Sequence, residues 1–171
     1  MIRPARQSDL IRVQSIYAEA VLTGTASFEI KPPDVGEIAR RWKTVLDAGL
    51  PYVVAELDGA IAGYAYASLY RPRRAYRNTA ECSVYVDPAY SRRGLGSQLM
   101  AEVIAETDRA GFRQLIAVIG DSGNLASRRL HQSLGFREVG TLEAVGFKHG
   151  RWLDTVLMQR PLGEGSSTDP A

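Results

Sequence analysis

Leu10, Val13, Ile16, Tyr17 and Ala20 repeat at the three-and-four spacing of a helix face behind Ser8, a capping residue type. The same spacing returns in Ile38, Trp42, Val45 and Leu46, which predicts a second helix from Asp34 to about residue 48. Leu99, Val103 and Ile104 predict a third over residues 96–110, ended by Gly111. Behind Asn124 a fourth runs through Leu130 to Leu134 and stops at Gly135. Alternating or continuous apolar runs predict strands over residues 2–5, 52–57, 60–69, 80–86, 115–119, 136–147 and 153–158. Asp58-Gly59 joins the second and third of these as a hairpin. Residues 115–119 are apolar throughout and read as a strand buried on both faces. This order predicts a mixed α/β or α+β fold with helices packed on a largely antiparallel sheet. Residues 1–162 read as one domain without internal repeats. The small, polar tail 163–171 is expected to be disordered.

Residues 80–97 carry the strongest local signal. A strand rich in β-branched and aromatic residues is stopped by Asp87-Pro88, followed by the loop Ser91-Arg92-Arg93-Gly94-Leu95-Gly96-Ser97 and a helix. Strand, glycine loop and helix start form an anion cradle, because unpaired amides and the positive helix end face one point. The glycines let backbone approach a bulky anion such as a pyrophosphate. The loop is not a P-loop. It is not Gly-x-Gly-x-x-Gly either, since Leu99 stands third after Gly96.

Composition narrows the choice. A net charge of +2 is too balanced to suggest general nucleic-acid binding. No apolar run approaches the ~20 residues of a membrane span, and the first residues lack a signal-peptide core, so a cytoplasmic location is expected. One cysteine rules out an intramolecular disulfide and fits a reducing compartment. The two histidines and the cysteine show no zinc spacing, so no metal is expected. Two loops stand out. Residues 22–33 carry Phe28 and Glu29, expected to be exposed, and residues 70–79 carry Arg71, Arg73, Arg74 and Arg77. The second is either a solvated basic loop or a clamp for an anionic substrate group.

The Gly94-Leu95-Gly96 loop resembles the acyl-CoA loop of the GNAT acetyltransferase superfamily, Gln/Arg-x-x-Gly-x-Gly/Ala, with Ser91 departing at the first position. A second segment, Asn124-Leu-Ala-Ser127-Arg-Arg-Leu130-His131-Gln-Ser-Leu-Gly135-Phe136, resembles the other hallmark of that superfamily, with His131 where many members have a tyrosine. Within it, Thr25-Ala-Ser-Phe-Glu29, Thr79-Ala-Glu-Cys-Ser-Val-Tyr-Val86, Leu130-His131 and Gly146-Phe-Lys-His-Gly-Arg-Trp-Leu-Asp154 resemble the phosphinothricin and methionine sulfoximine N-acetyltransferases. The resemblance covers nearly the whole chain. It implies a twisted sheet of about seven strands with helices on both faces, acetyl-CoA as co-substrate, a small amino-acid-like acceptor and a homodimer. It also assigns Val84, Tyr85, Val86, Arg92, Arg93, Gly94, Leu95, Gly96, Ser97 and Asn124 to the donor. Phe28, Glu29, Arg71, Arg73, Arg74 and Ser83 go to the acceptor.

Acetyl transfer to an amine needs a neutral nitrogen, and an α-amino group has a pKa of about 7.7–8.0. Glu81, on the strand that leads to the glycine loop, is the expected base, directly or through water. An amide of Val84 or Val86 is expected to polarise the thioester carbonyl. His131 is expected either to protonate the departing thiolate or to join the base relay; the alternative is a structural histidine bonded to a carbonyl. Cys82, opposite in strand alternation to Glu81 and with no histidine beside it in sequence, reads as a core thiol, so transfer is expected to be direct. Rival expectations are a GNAT enzyme for protein N-termini or polyamines, a non-catalytic acetyl-CoA-binding protein, and a nucleic-acid binder using the arginine loop.

Overall fold

Strand-forming runs and helix faces assemble as their periodicities require. The computed structural model describes residues 1–170, with β1 (Ile2–Pro4), α1 (Leu10–Thr23), α2 (Val35–Asp47), β2 (Tyr52–Leu57), β3 (Ala60–Leu69) and β4 (Thr79–Val86) in the first half. The second half holds α3 (Leu95–Arg109), β5 (Gln114–Gly120), α4 (Leu125–Ser133), β6 (Arg137–Lys148) and β7 (Arg151–Pro161). The seven strands form one sheet in the order β1-β2-β3-β4-β5-β7-β6. Every neighbouring pair is antiparallel except β4 with β5. The predicted sheet and four helices are therefore present.

Helix starts differ in detail. Asp34 caps α2, its carboxylate accepting from the Glu37 amide at 2.8 Å. Ser8 caps nothing, because residues 7–9 form a short 3-10 turn and α1 begins at Leu10. Asp9 is drawn instead into bonds with the Arg6 amide and the Arg3 guanidinium, each at 2.7 Å.

Strand alternation divides the sheet into two faces. Tyr52, Tyr64, Tyr66 and Tyr85 stack across β2, β3 and β4 on the side of Tyr17 from α1. Gly63, of opposite parity, faces Leu99 of α3. Helices α1 and α2 thus cover one face, and α3 and α4 the other. The core includes Val13, Ile16, Val54, Leu99, Met100, Val103 and Leu115, all nearly inaccessible to solvent.

β5 corrects one expectation. Leu115, Ala117 and Ile119 are buried, but Ile116 is half-buried and Val118 is exposed. The expected loose tail carries hydrogen bonds: Arg113 donates to the Gly165 and Asp169 carbonyls and to Thr168, while the Leu162 amide donates to the Arg113 carbonyl. Ala171 lies outside the described residues.

Candidate active site

β4 and β5 pair only from Thr79–Gln114 to Cys82–Ala117 and then part. On its other edge β4 stays paired with β3 to Val86–Gly63. The Asp87 amide bonds the Ala62 carbonyl, and the Tyr70 amide bonds the Thr79 carbonyl. In an antiparallel ladder these bonded pairs alternate, so odd-numbered residues of β4 point their backbone groups at β3. Val84 and Val86 point theirs the other way, into the gap, where β5 supplies no partner. The gap is a cleft lined by Cys82, Ser83, Val84, Tyr85, Val118, Gly120, Asn124 and His131, among others.

The start of α3 lies beside it. The helix was expected to begin at Gly96; it begins at Leu95, with Gly94 as N-cap at a φ of 75°. Gly94 offers no side chain to cap the first turn, so the amides around Leu95, Gly96 and Ser97 keep their donors available. Arg92, also at positive φ, and Arg93 stand exposed in the same loop, with the Arg93 guanidinium over the Tyr90 ring. Gly96 serves packing as well: a Cβ there would stand 2.8 Å from Leu130 Cδ1. Asn124 caps α4 by accepting from the Ser127 amide at 3.2 Å.

Side chains of opposite parity on β4 face the α1 and α2 side. Glu81 is half-buried there; burial lifts its carboxyl above the ordinary value, and the Arg71 guanidinium opposes the rise. Ser83 stands opposite Tyr66 of β3 in the strand register. Tyr85 meets the edge of Tyr17 at 5.1 Å between centroids. Of the arginine loop, Arg71 is the member whose charge reaches Glu81, and it also lies over the Tyr70 ring. Arg73, Arg74 and Arg77 are exposed in and around a 3-10 turn.

Glu29 and Phe28 are half-buried rather than exposed. Glu29 Oε1 accepts from the Tyr17 hydroxyl at 3.0 Å and from Arg41 at 2.7 Å. The Phe28 ring fills space left by two glycines: a Cβ on Gly120 would stand 2.8 Å from it, and one on Gly146 would overlap it.

His131 lies on the opposite face from Glu81. Its Nδ1 is 2.8 Å from the Ser127 carbonyl oxygen, which can only accept, so Nδ1 carries the hydrogen. The lone pair on Nε2 is directed at Cys82 Sγ, 3.9 Å away. Burial lowers the imidazole pKa, opposed by the Ser127 bond. A neutral ring in this tautomer has no Nε2 proton to give, so the geometry favours acceptance over donation.

The absence of a histidine neighbour for Cys82 is thus corrected by the fold. The pair is nevertheless not an activated one. Burial raises the thiol and lowers the imidazole, and both shifts oppose a thiolate–imidazolium pair. The thiol donates to the Ile116 carbonyl at 3.4 Å. We predict that Cys82→Ala keeps kcat within about three-fold and loses roughly 1 kcal/mol of stability from the small cavity. Ping-pong kinetics or an acetylated Cys82 in mass spectrometry would overturn this.

Several site residues carried no sequence signal of their own. Tyr17 and Tyr66 read as core aromatics, and Ser27 and Lys148 lie 121 positions apart yet bond at 2.7 Å. Gly120 and Gly146 were visible as glycines, but only the fold shows that both make room for Phe28. Among the described residues no group of His, Cys, Asp and Glu side chains is placed to hold a metal ion.

The family described as acetyltransferase (GNAT) matches residues 13–136. The chain is 55% identical over 169 residues to a phosphinothricin N-acetyltransferase of Alcaligenes faecalis, covering 99% of this chain and 86% of that one. It is 38% identical to an L-methionine sulfoximine/L-methionine sulfone acetyltransferase of Salmonella typhimurium, with 98% of each chain covered. The structure is similar to that of a GNAT superfamily phosphinothricin acetyltransferase from Sinorhizobium meliloti in complex with acetyl-CoA. The TM-score is 0.97 at 47% identity, covering 100% of this chain and 92% of that one.

Proposed function

The chain belongs to the acetyltransferase (GNAT) family, and from that premise we propose that it is an acetyl-CoA-dependent N-acetyltransferase. Its acceptor is the α-amino group of a small amino-acid-like molecule of the phosphinothricin, methionine sulfoximine or methionine sulfone type. One observation carries the reading. β4 and β5 part just after Cys82–Ala117, with the half-buried Glu81 carboxyl on one face immediately before the gap and the backbone of Val84 and Val86 at its edge.

The residues present fit the donor. Gly94, Leu95, Gly96 and Ser97 offer uncapped amides to a pyrophosphate, Arg92 and Arg93 add charge, and Asn124 borders the path of the pantetheine arm. Acetyl-CoA supplies an acetyl group already activated as a thioester. Glu81 takes the proton of the acceptor ammonium, freeing the lone pair that attacks. The backbone N–H groups facing the gap at Val84 and Val86 donate to the carbonyl oxygen as charge builds on it. A thiol of pKa about 8.5 leaves readily as its anion, so His131 is not needed as an acid; its Nδ1 stays bound to the Ser127 carbonyl at the wall of the cleft. Holding both substrates at one gap contributes most, since effective molarities reach ~10⁵–10⁸ M.

On the acceptor side, Phe28, Glu29 and Ser83 border the same face as Glu81; Arg71, Arg73 and Arg74 are all exposed, and Arg71 is taken as the acceptor-facing one because its charge acts on Glu81. Arg71→Ala is expected to raise KM for the acceptor roughly ten-fold, the loss of a charge-assisted hydrogen bond. KM for acetyl-CoA should stay nearly constant. Thiol release measured with phosphinothricin, methionine sulfoximine, methionine sulfone, ordinary amino acids, a polyamine and a peptide N-terminus tests the assignment. Preference for the polyamine or the peptide would overturn the acceptor class, and acetyl-CoA binding without turnover would overturn the enzyme.

We infer that the protein acts as a homodimer. β6 is an edge strand of twelve residues, almost all exposed. Val145, Phe147 and the adjoining Trp152 are 53%, 57% and 65% exposed, an apolar edge that isolated chains seldom leave bare. Trp152→Glu is expected to shift the protein from dimer to monomer in sedimentation velocity; a monomeric wild type would refute the inference. A single buried free thiol suits a reducing cytoplasm, which cell fractionation tests. Among the described residues no helix is long and apolar enough to cross a membrane.

A further inference from the structure

Lys148, the last residue of β6, is 4% exposed, although it belongs to the outermost strand of the sheet. Lysines are almost never buried to this degree without a partner, because the ammonium loses its hydration. Its Nζ donates to one protein atom, the Ser27 carbonyl oxygen, at 2.7 Å. Burial lowers its pKa, and the charge of Glu29 opposes the shift.

Ser27 is the node of the loop between α1 and α2. Its hydroxyl lies 2.9 Å from the Tyr17 hydroxyl and accepts from the Glu29 amide at 3.2 Å. Tyr17 in turn donates to Glu29 and packs edge-on against Tyr85 of β4. Two further links bind the same loop to the far half of the chain. His149 Nε2 lies 3.2 Å from the Gly24 carbonyl, and Thr25 Oγ1 donates to Asp121 at 2.9 Å. The Phe28 ring rests on Gly120 and Gly146. A loop of small and polar residues, with no secondary structure of its own, is thus held from outside at several points, and the buried cation lies at the middle of them.

We propose that Lys148 is a positioning residue for the acceptor: by holding the Ser27 carbonyl from the opposite end of the sheet, it fixes the orientation in which Phe28 and Glu29 meet the acceptor beside Glu81. The proposal rests on the reading that this loop borders the acceptor pocket. Lys148 touches neither substrate and acts through Ser27. A carbonyl acceptor needs only a donor, so the choice of a buried cation adds charge-assisted strength and a favourable charge beside Glu29.

The test compares wild type with Lys148→Met, which is one atom shorter and loses the donor, and Lys148→Arg, which keeps donor and charge. Phosphinothricin and methionine sulfone serve as acceptors, and melting is recorded in parallel. Lys148→Met is expected to raise acceptor KM roughly ten-fold while kcat and acetyl-CoA KM change by less than about two-fold. Lys148→Arg is expected to recover most of that loss. Unchanged acceptor KM in Lys148→Met overturns the proposal, as does a parallel rise in both KM values with no rescue by arginine, which marks a merely structural side chain. Phe28→Ala separates the two layers. If it raises acceptor KM while Lys148→Met does not, the tether alone is wrong; if neither does, the acceptor pocket has been placed wrongly and the tether falls with it. Should Lys148→Met not fold, Lys148→Gln, one atom shorter and left with a neutral donor, is read in its place: acceptor KM is expected to rise about three-fold at constant acetyl-CoA KM, and an unchanged acceptor KM overturns the proposal.

Discussion

Glu81→Gln is expected to lower kcat by about 10²–10⁴-fold, the usual worth of a positioned general base. The substitution keeps the shape of the side chain and removes only its ability to take a proton. Two further readouts follow from its environment. Burial raises the Glu81 carboxyl above its ordinary value, and Arg71 holds that rise in check. Wild-type kcat/KM should therefore climb as pH rises through this elevated pKa, because only the carboxylate can act as base. In Glu81→Gln that limb disappears, and the residual rate follows the free fraction of the acceptor amine alone. The same shift bears on stability with the opposite preference. A carboxyl whose folded pKa exceeds its unfolded value binds its proton more tightly in the folded protein. Its stabilising contribution is complete below the unfolded pKa and is lost as pH rises through the folded one. Above its raised pKa Glu81 is ionised where burial disfavours it, so Glu81→Gln should melt at a higher temperature than wild type there, with the difference vanishing in acid. A variant with near-normal turnover, or with wild-type pH dependence, would remove Glu81 from the role of base.

Gly96→Asp is expected to weaken acetyl-CoA binding by roughly 10–100-fold, the equivalent of losing one or two charge-assisted hydrogen bonds. Two effects combine. The carboxylate would compete with a pyrophosphate for the uncapped amides at the start of α3 and repel it. The new Cβ would also press on Leu130 of α4, 2.8 Å from its terminal methyl group. Gly96→Ala isolates the second effect. The Leu130 methyl is the end of a flexible side chain and can turn aside, so the alanine variant should bind acetyl-CoA far better than the aspartate variant. Calorimetry on both folded proteins separates charge from crowding. Equal affinities in wild type and Gly96→Asp would mean that the donor phosphates are held elsewhere.

Much of the fold was legible because its signals are local. Helix faces at Leu10–Ile16 spacing, the Asp58-Gly59 hairpin and the caps at Asp34 and Asn124 each lie within a few residues. The glycine loop was legible for the same reason, to within one residue of the true helix start. What escaped was pairing at a distance. Nothing in the alternation of β5 says that its partner leaves it after Ala117, which exposes Val118 and turns an apparently core strand into the wall of a cleft. His131 and Cys82 are 49 positions apart, and Lys148 and Ser27 are 121 apart. Lys148 lies within a patch that resembles a family, yet a lysine at the end of an edge strand gives no sign by its type that it will be covered. Capping by Ser8 failed because Asp9, next in line, meets Arg3 from β1 and pulls the start of α1 forward.

The alternation of β4 has an evolutionary consequence. On the proposed reading, Glu81 and Ser83 look towards the acceptor and the open backbone of Val84 and Val86 serves the donor, so the two specificities are interleaved on one strand of eight residues. Point substitutions on the odd positions can retune the acceptor while leaving the donor grip intact, which lets one scaffold radiate into enzymes for different amines. Length is another matter. Inserting or deleting a single residue within this strand would exchange the two sets between faces and present each substrate with the other's machinery. Among descendants of this sequence, β4 should accumulate replacements at odd positions other than Glu81 while its length stays frozen, and gaps should gather in the loops on either side.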